Sequence, residues 1–514
     1  MTAGSTTGQQ TVRLHAADDV VVALADLPAG PVRLADGTTV TLPAPVARGH
    51  KLAVRAVRAG DPVRKYGQVI GYAATDIEAG DHVHTHNLAY RPVATAVDYG
   101  SRRAPTEYIP EEERATFLGY RRANGKVGTR NYLGILSSVN CSATVAKLIA
   151  LRAEALVAEF PGVDGIVPLT HTGGCGTGGP GHEGFDMLRR TLRGYGEHPN
   201  FAGFLVIGLG CEVNQVVSLA SEWSVPDGVP VHLMTIQELG GTRRTVEEGL
   251  RRIEEMLPVA AAAKREPVPV SELVLAMECG GSDGYSGITA NPALGVAADL
   301  VVRHGGTAMF GETPEIYGAE HILLERAVSD EVAQRLVERI RWWERHVAAD
   351  GSSLDNNPSP GNKAGGLTTI LEKSLGAIAK GGTTELCDVV RYGERPRTRG
   401  LVYMDTPGYD PVNATGLVAG GATVLCFTTG RGSVFGSRPT PCLKLATNTE
   451  LYRRMTDDMD LNCGTIADGE ETVEEVGQRI FELILATASG QKTRSEELGF
   501  GLEEFVPWQL GATL

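Results

Sequence analysis

The chain has 514 residues, with 48 Lys and Arg against 62 Asp and Glu and a formal charge of −14. That length predicts about two to four folding units rather than one core, and the acidic balance, without a basic block or interleaved aromatics, excludes nucleic acid as a partner. Eight dispersed cysteines, none in a Cys-x-x-Cys pair, exclude a disulfide scaffold.

The N-terminus has no basic region followed by an apolar core, and nowhere do about eighteen apolar residues run unbroken, so a cytoplasmic protein with no membrane partner is expected. Residues 12–92 read as short β segments, including 11–14, 19–24, 39–42 and 51–56, broken by Pro-Ala-Gly and Arg-Ala-Gly turns. This gives a small β-rich domain over 1–95. A polar, Pro-containing linker over 96–115 follows.

Beyond it, apolar runs end in glycine-rich loops and pass into amphipathic helices, the rhythm of a parallel α/β sheet. One such unit spans 116–258, a break covers 259–270, and a second unit spans 271–514. The expected fold class is therefore α/β, a β-rich N-terminal domain before a two-part α/β body with largely parallel sheets. Polar and thiol residues recur at the carboxyl ends of the apolar runs, where open α/β sheets place their ligand crevices.

Five features carry candidate chemistry. In Asp81-His-Val-His-Thr-His-Asn87, an extended backbone would point His82, His84 and His86 to one face, close enough to grip Zn²⁺, Fe²⁺ or Mn²⁺. Cys141, Cys175, Cys211 and Cys279 each follow a separate strand; folding can gather them around iron or an iron–sulfur centre, or simply bury each at a tight turn. Glu312 and Glu315 flank Pro314 at a strand end and suit a general acid and base, or equally a helix start. The loop Asn356-Asn-Pro-Ser-Pro-Gly-Asn-Lys363 brings a cation to a helix entrance, where a carboxylate ligand fits. The run His171-Thr-Gly-Gly-Cys-Gly-Thr-Gly-Gly-Pro180 has neither the Gly-Lys-Ser/Thr ending nor the dinucleotide spacing of a phosphate loop, though its amides suit an oxyanion.

Taken together, the motifs resemble those of the altronate/galactarate dehydratase family, whose N-terminal module is similar to SAF domains. In that module the resemblance rests on His15-Ala-Ala-Asp18-Asp19, Gly49-His50-Lys51, Lys65-Tyr66-Gly67 and Val83-His84-Thr85-His86-Asn87. In the body it rests on Gly128-Thr-Arg130-Asn131-Tyr132, Asn140-Cys141-Ser, His171-Thr-Gly-Gly-Cys175, Gly210-Cys-Glu212-Val-Asn214, Cys279-Gly-Gly-Ser-Asp283 and Glu312-Thr-Pro-Glu315. Further on it includes Asn357-Pro-Ser-Pro-Gly-Asn362-Lys363, Asp405-Thr-Pro-Gly408, Thr428-Thr-Gly-Arg431-Gly-Ser433 and Lys444-Leu-Ala-Thr-Asn448. Two departures stand out: Ala16 and Asp19 occupy positions where the family commonly has proline and asparagine, and His82 lies outside the shared pattern.

The resemblance implies a metal-dependent hydro-lyase acting on a small anionic sugar acid, most simply D-altronate to 2-dehydro-3-deoxy-D-gluconate, with galactarate as the alternative substrate. A non-catalytic sugar-acid sensor and a sulfo-lyase on the same scaffold are the further alternatives. It implies Fe²⁺, with Mn²⁺ or another divalent metal second, held by His15, His84 and His86; the alternative, read from the residues themselves, is iron or an iron–sulfur cluster on Cys141, Cys175, Cys211 and Cys279. Lys51, Lys65 and Glu312 are the implied catalytic groups, and Arg130, Asn131, Lys363 and Arg431 the implied substrate contacts. Catalysis is expected where the small module meets the body, within one chain or across a homodimer.

Overall fold

A computed structural model describes residues 10–92, 98–176 and 178–510. The first part is built from short antiparallel strands. Thr11–Val12, Val20–Ala23, Lys51–Ala53 and His82–Val83 form one sheet in that order; Gly30–Arg33 pairs with Thr39–Leu42; and Pro62–Lys65, Gln68–Ala73 and Leu88–Ala89 form a third sheet. The Val20–Ala23 strand is buried throughout because both its faces are covered. Val21 packs with Leu27, Val32, Val40 and Leu52 in a core of the module's own, whereas Val20, Val63, Ile70 and Val83 join a cluster that continues into the body through Leu275, Leu294 and Phe310.

The body has two parallel sheets. In the first, the order is Gly165–Leu169, Tyr132–Ser137, Phe201–Gly208, Val231–Thr235, with the helices Asn140–Val157 and Thr242–Ala261 packed together beside it. The stretch 259–270, expected as a break, finishes that second helix and forms the strand Glu266–Pro269, which pairs with Thr116–Arg121. Of the expected linker 96–115, residues 96 and 97 lie outside the described residues; the rest runs along the body, where Gly100 N donates to Leu324 O (3.0 Å) and Ile109 N to Arg303 O (2.8 Å).

The second sheet has seven strands in the order Leu386–Val390, Gly400–Met404, Thr307–Phe310, Val274–Cys279, Val424–Thr429, Cys442–Ala446, Leu461–Asn462, all parallel. The chain winds outward to one side from Val274–Cys279, then returns to add Val424–Thr429 on the other. The direction of winding reverses between these two neighbours, where open parallel sheets place a ligand crevice, and the loops Gly280–Asp283 and Gly430–Arg431 leave their carboxyl ends there. No helix among the described residues is long and apolar enough to cross a membrane.

The small module docks at that crevice with backbone pressed on backbone. Gly284 N donates within the body to Gly365 O at 2.7 Å, while a β-carbon on Gly284 would collide with Gly49 O of the module. Gly366, at φ +100°, leaves equally little room, with 2.3 Å to the same oxygen. Beneath this seam Lys51 Nζ and Lys65 Nζ reach the two oxygens of Glu372 at 2.9 and 3.0 Å, and all three side chains are inaccessible to solvent. Lys51 also donates to Gly366 O (2.6 Å), and Thr368 donates to Glu372 through N and Oγ1. Burial alone would raise the Glu372 carboxyl, but the Lys51 and Lys65 ammoniums outweigh it and hold it at about 2.

Replacing Glu372 by Gln strands two buried ammoniums without a counter-charge, a loss expected to cost about 3–5 kcal/mol. Denaturant unfolding measures it, and limited proteolysis should release the small module. Because the Glu372 carboxyl is depressed from its ordinary 4.5 to about 2, its contribution is complete above pH 4.5 and disappears as pH falls from there towards 2. An acid titration of the full chain should show a destabilisation in that window which Glu372→Gln lacks.

Candidate functional site

The crevice at the switch point gathers imidazoles from the small module against cations from the body. The run after His82 is not extended: the strand stops at Val83, and His84–Asn87 forms a turn closed by Asn87 N to His84 O (3.0 Å), with His84 N donating to Asn87 Oδ1 (2.9 Å). The alternating one-face geometry expected for His82, His84 and His86 is therefore absent. The turn nonetheless stacks the rings, with centroids 5.3 Å apart for His82 and His84 and 5.5 Å for His82 and His86.

A fourth ring, His50, completes the group at 5.1 Å from both His82 and His84. His50 Nδ1 lies 3.0 Å from His82 Nε2; His50 Nε2 reaches Ala364 O (3.2 Å) and His84 Nε2 reaches Lys363 O (2.9 Å). Burial first, then the His50, His84 and His86 neighbours, pull His82 down to about 4, and burial also lowers His50 and His84. These rings are neutral at pH 7; a hydrogen shared between His50 Nδ1 and His82 Nε2 occupies one lone pair, and His50 Nε2 and His84 Nε2 donate to carbonyls. Arg431, exposed on the facing loop, projects its charge towards His50, and Lys363 belongs to the loop that receives His84.

His15 is elsewhere. Its ring packs on Gly67, and its Nδ1 accepts from Ala17 N (3.1 Å). Among the described residues it forms no three-donor group with His84 and His86, so the expected His15, His84, His86 ligand set is not assembled. Asp19, the departure from the family pattern, is buried and paired with Arg55.

Lys51 and Lys65, expected as catalytic groups, pair with Glu372 across the docking seam and are closed to solvent. Arg130 and Asn131, expected as substrate contacts, also have partners within the protein. Arg130 makes a two-pronged pair with Glu496 (2.6 and 2.8 Å) and caps Thr129 O, Thr487 O and Gln491 O, using its whole fork. Asn131 donates to Gly162 O and Ala260 O and accepts from Arg122.

The helix Ile370–Ala377 carries the charge network onward, since Lys373, next to Glu372, pairs with Glu315 at 2.8 Å. Around it at the sheet's carboxyl edge lies a buried cluster. Cys279 Sγ accepts from Lys380 Nζ (3.0 Å) and lies 3.7 Å from Glu312 Oε2 and 3.8 Å from Glu315 Oε2; Lys380 also pairs with Glu312. Glu312 holds a left-handed backbone, φ +70°, a strained state for a non-glycine residue, fixed by Thr406 Oγ1 accepting from Glu312 N at 2.6 Å.

Burial raises the Glu312 carboxyl against the pull of Lys380, and burial with the nearby Glu315 charge pushes Asp410 up to about 6. Glu278, buried with one oxygen unpartnered, is raised well above the usual range. Burial, then the Glu312 charge, keeps Cys279 a thiol. Cys279, Glu312 and Glu315 bring three donor atoms within 4.8 Å of one another, but Lys373 and Lys380 already supply positive charge there. The arrangement suits proton transfer, with carboxyl groups kept protonated towards neutrality beside fixed ammoniums. A cavity of about 220 Å³ farther along the edge is lined by Arg190, Arg339, Arg391, Trp342, Asp405 and Trp508; Asp405 accepts from Thr313 Oγ1 at 2.7 Å, two residues from Glu315.

The four-cysteine set divides. Cys279 is buried in the seven-stranded sheet's cluster, while Cys141, Cys175 and Cys211 are exposed at the carboxyl edge of the four-stranded one. His50 was not among the expected ligands. The signal was Gly49-His50-Lys51 beginning a strand, which pairs Lys51 with Val83 and so brings His50 beside the His84 turn.

Comparison with known proteins adds three matches along the chain. Residues 9–91 match the family described as altronate/galactarate dehydratase SAF domain, 119–261 match D-galactarate dehydratase/altronate hydrolase, second domain, and 270–513 match D-galactarate/altronate dehydratase, C-terminal. The altronate dehydratase of Escherichia coli K12 is 38% identical over 507 residues, covering 98% of this chain and 100% of that protein. The altronate dehydratase of Bacillus subtilis 168 is 36% identical, covering 98% and 99%. The galactarate dehydratase (L-threo-forming) of E. coli K12 is 42% identical, covering 95% and 94%.

Thiol accessibility gives a direct check of the divided cysteines. In metal-free protein under reducing conditions, brief iodoacetamide treatment followed by peptide mass spectrometry should label Cys141, Cys175 and Cys211 first and leave Cys279, Cys426, Cys442 and Cys463 unmodified until the chain is unfolded.

Proposed function

The chain belongs to the altronate/galactarate dehydratase family of sugar-acid hydro-lyases, and from that premise we propose that it removes water from a hexonate, D-altronate giving 2-dehydro-3-deoxy-D-gluconate, with galactarate as the other substrate to be tested. The observation that carries the reading is the buried Glu312–Lys380 pair beside Cys279, at the carboxyl edge that also frames the crevice. Dehydration needs a base for the proton on the carbon next to the carboxylate and an acid for the departing hydroxyl. Glu312, held towards its protonated form by burial, suits the acid, with Lys380 fixing its orientation. Arg431 and Lys363 suit the substrate carboxylate, and the neutral imidazoles of His50 and His82 suit the base.

A bound divalent metal, Fe²⁺ by family resemblance, would supply the charge that stabilises the enediolate. The imidazole cluster offers a close pair of nitrogens in His50 and His82, but among the described residues no third His, Cys or carboxylate donor comes within 4.8 Å of both.

A panel of aldonates and aldarates, assayed for 2-keto acid with and without Fe²⁺, tests the reading. D-altronate should give the highest kcat/KM, and chelation should abolish turnover. Glu312→Gln should lower kcat about 10²–10⁴-fold in a folded protein, whereas Arg431→Met should act mainly on KM. A folded, iron-loaded chain that binds these acids and forms no keto acid would reduce the protein to a sensor.

A further inference from the structure

The three exposed cysteines form an arrangement that the proton-transfer cluster leaves unused. The strands Gly165–Leu169, Tyr132–Ser137 and Phe201–Gly208 are immediate neighbours, aligned by the pairings Leu136 with Leu169 and Ser137 with Ile207. Cys141 comes four residues after Ser137, Cys175 six after Leu169 and Cys211 four after Ile207. All three therefore leave the same edge on consecutive loops.

Those loops are tied to one another. Asn140, beside Cys141, donates through N to Gly173 O (2.8 Å) and through Nδ2 to His171 O (3.3 Å) in the Cys175 loop. Glu212, beside Cys211, accepts from Ser138 Oγ (2.7 Å) and Gly210 N (2.7 Å), while Asn214 Nδ2 donates to Ser138 O (3.2 Å). Cysteine is among the most buried residue types, and four others here are fully buried with a fifth half-buried, so three free, exposed thiols on one edge are the exception. Cys141 also lies in the first turn of the eighteen-residue Asn140–Val157 helix, which has no side-chain cap, and the amides there favour negative charge.

Donors around a single ion bound at about 2.3 Å lie within roughly 4 Å of each other, and the three sulfurs do not all lie within 4.8 Å of one another. The Cys175 and Cys211 loops leave the strands on either side of the one that leads to Cys141, each strand step being about 4.8 Å, an arrangement for a group larger than one ion. We propose that Cys141, Cys175 and Cys211 hold an iron–sulfur cluster through three thiolates, leaving one iron without a protein thiolate and open to an oxygen of a hydroxy-acid ligand. The site goes beyond the dehydratase reading, because its donor set stands whatever the substrate.

The test uses the full chain reconstituted under anaerobic conditions with ferric iron, sulfide and a thiol reductant that converts part of the iron to ferrous. It should bind about four irons and four acid-labile sulfides per chain, show the broad visible absorbance of iron–sulfide charge transfer, and protect Cys141, Cys175 and Cys211 from alkylation. Cys141→Ser, Cys175→Ser and Cys211→Ser should each lose the absorbance and most of the sulfide, while Cys387→Ser keeps both. Circular dichroism and thermal unfolding show whether the variants fold, and the alkylation measurement needs only the unsubstituted chain. Iron bound without sulfide, three thiols still open to alkylation after reconstitution, or a cluster that survives loss of all three cysteines would overturn the proposal. Turnover by cluster-free protein would overturn a catalytic use of the open iron while leaving the dehydratase reading intact.

Discussion

Everything at the crevice depends on one buried carboxylate. Glu372 takes Lys51 and Lys65 from the small module on its two oxygens, partners 321 and 307 positions away along the chain. Desolvating three charged groups is costly, and such a triad is seldom the most stabilising choice for a given volume. What it gives is register. A slip of the module would leave an ammonium buried and unpaired, so the position that sets His50 against Ala364 O and His84 against Lys363 O is held by a steep penalty. The glycines at the seam enforce the same position sterically.

The charge pattern then runs inward along one short helix. Glu372 and Lys373 are consecutive, so their side chains leave the helix about 100° apart, one towards the module and the other towards Glu315. The acid cluster and the docking triad thus share a scaffold. Glu312 in its left-handed conformation, with Thr406 Oγ1 accepting from its amide, presents the carboxyl to Lys380 at the strand end. These carboxyls are shifted mainly by burial, which keeps Glu278 and Asp410 protonated further towards neutrality than exposed carboxylates.

Much of the architecture was legible in the residues because it is local. Apolar runs followed by glycine-rich loops and helices mark parallel strands wherever they occur, and short strands between Pro-Gly turns mark the β module. Glu312 could be picked out because a carboxylate at a strand end is itself a local pattern. Long-range pairing was not legible. Nothing near Lys51 or Lys65 announces Glu372, and nothing near Arg130 announces Glu496, so the pairings these side chains make inside the fold could not be read beforehand. The alternation of histidines was misleading for a local reason: Asn87 Oδ1 captures the His84 amide and turns the chain where an extended strand was expected. Cys279 resembles the other strand-end cysteines in sequence, and only the division of strands between two sheets separates it from them.

The sharing of hydrophobic core between module and body has a consequence for biosynthesis. Val21, Leu27, Val40 and Leu52 can close on one another as soon as the module emerges from the ribosome, but Val63, Ile70 and Val83 pack in a cluster completed by body residues such as Leu275, Leu294 and Phe310. Glu372 lies 280 residues after Pro92, and at about 5–20 residues per second its synthesis takes roughly a quarter of a minute to a minute longer. For that interval the module carries an uncovered apolar face and two lysines awaiting their counter-charge. Although translated before the body, it therefore reaches its final packing only once the second sheet is made.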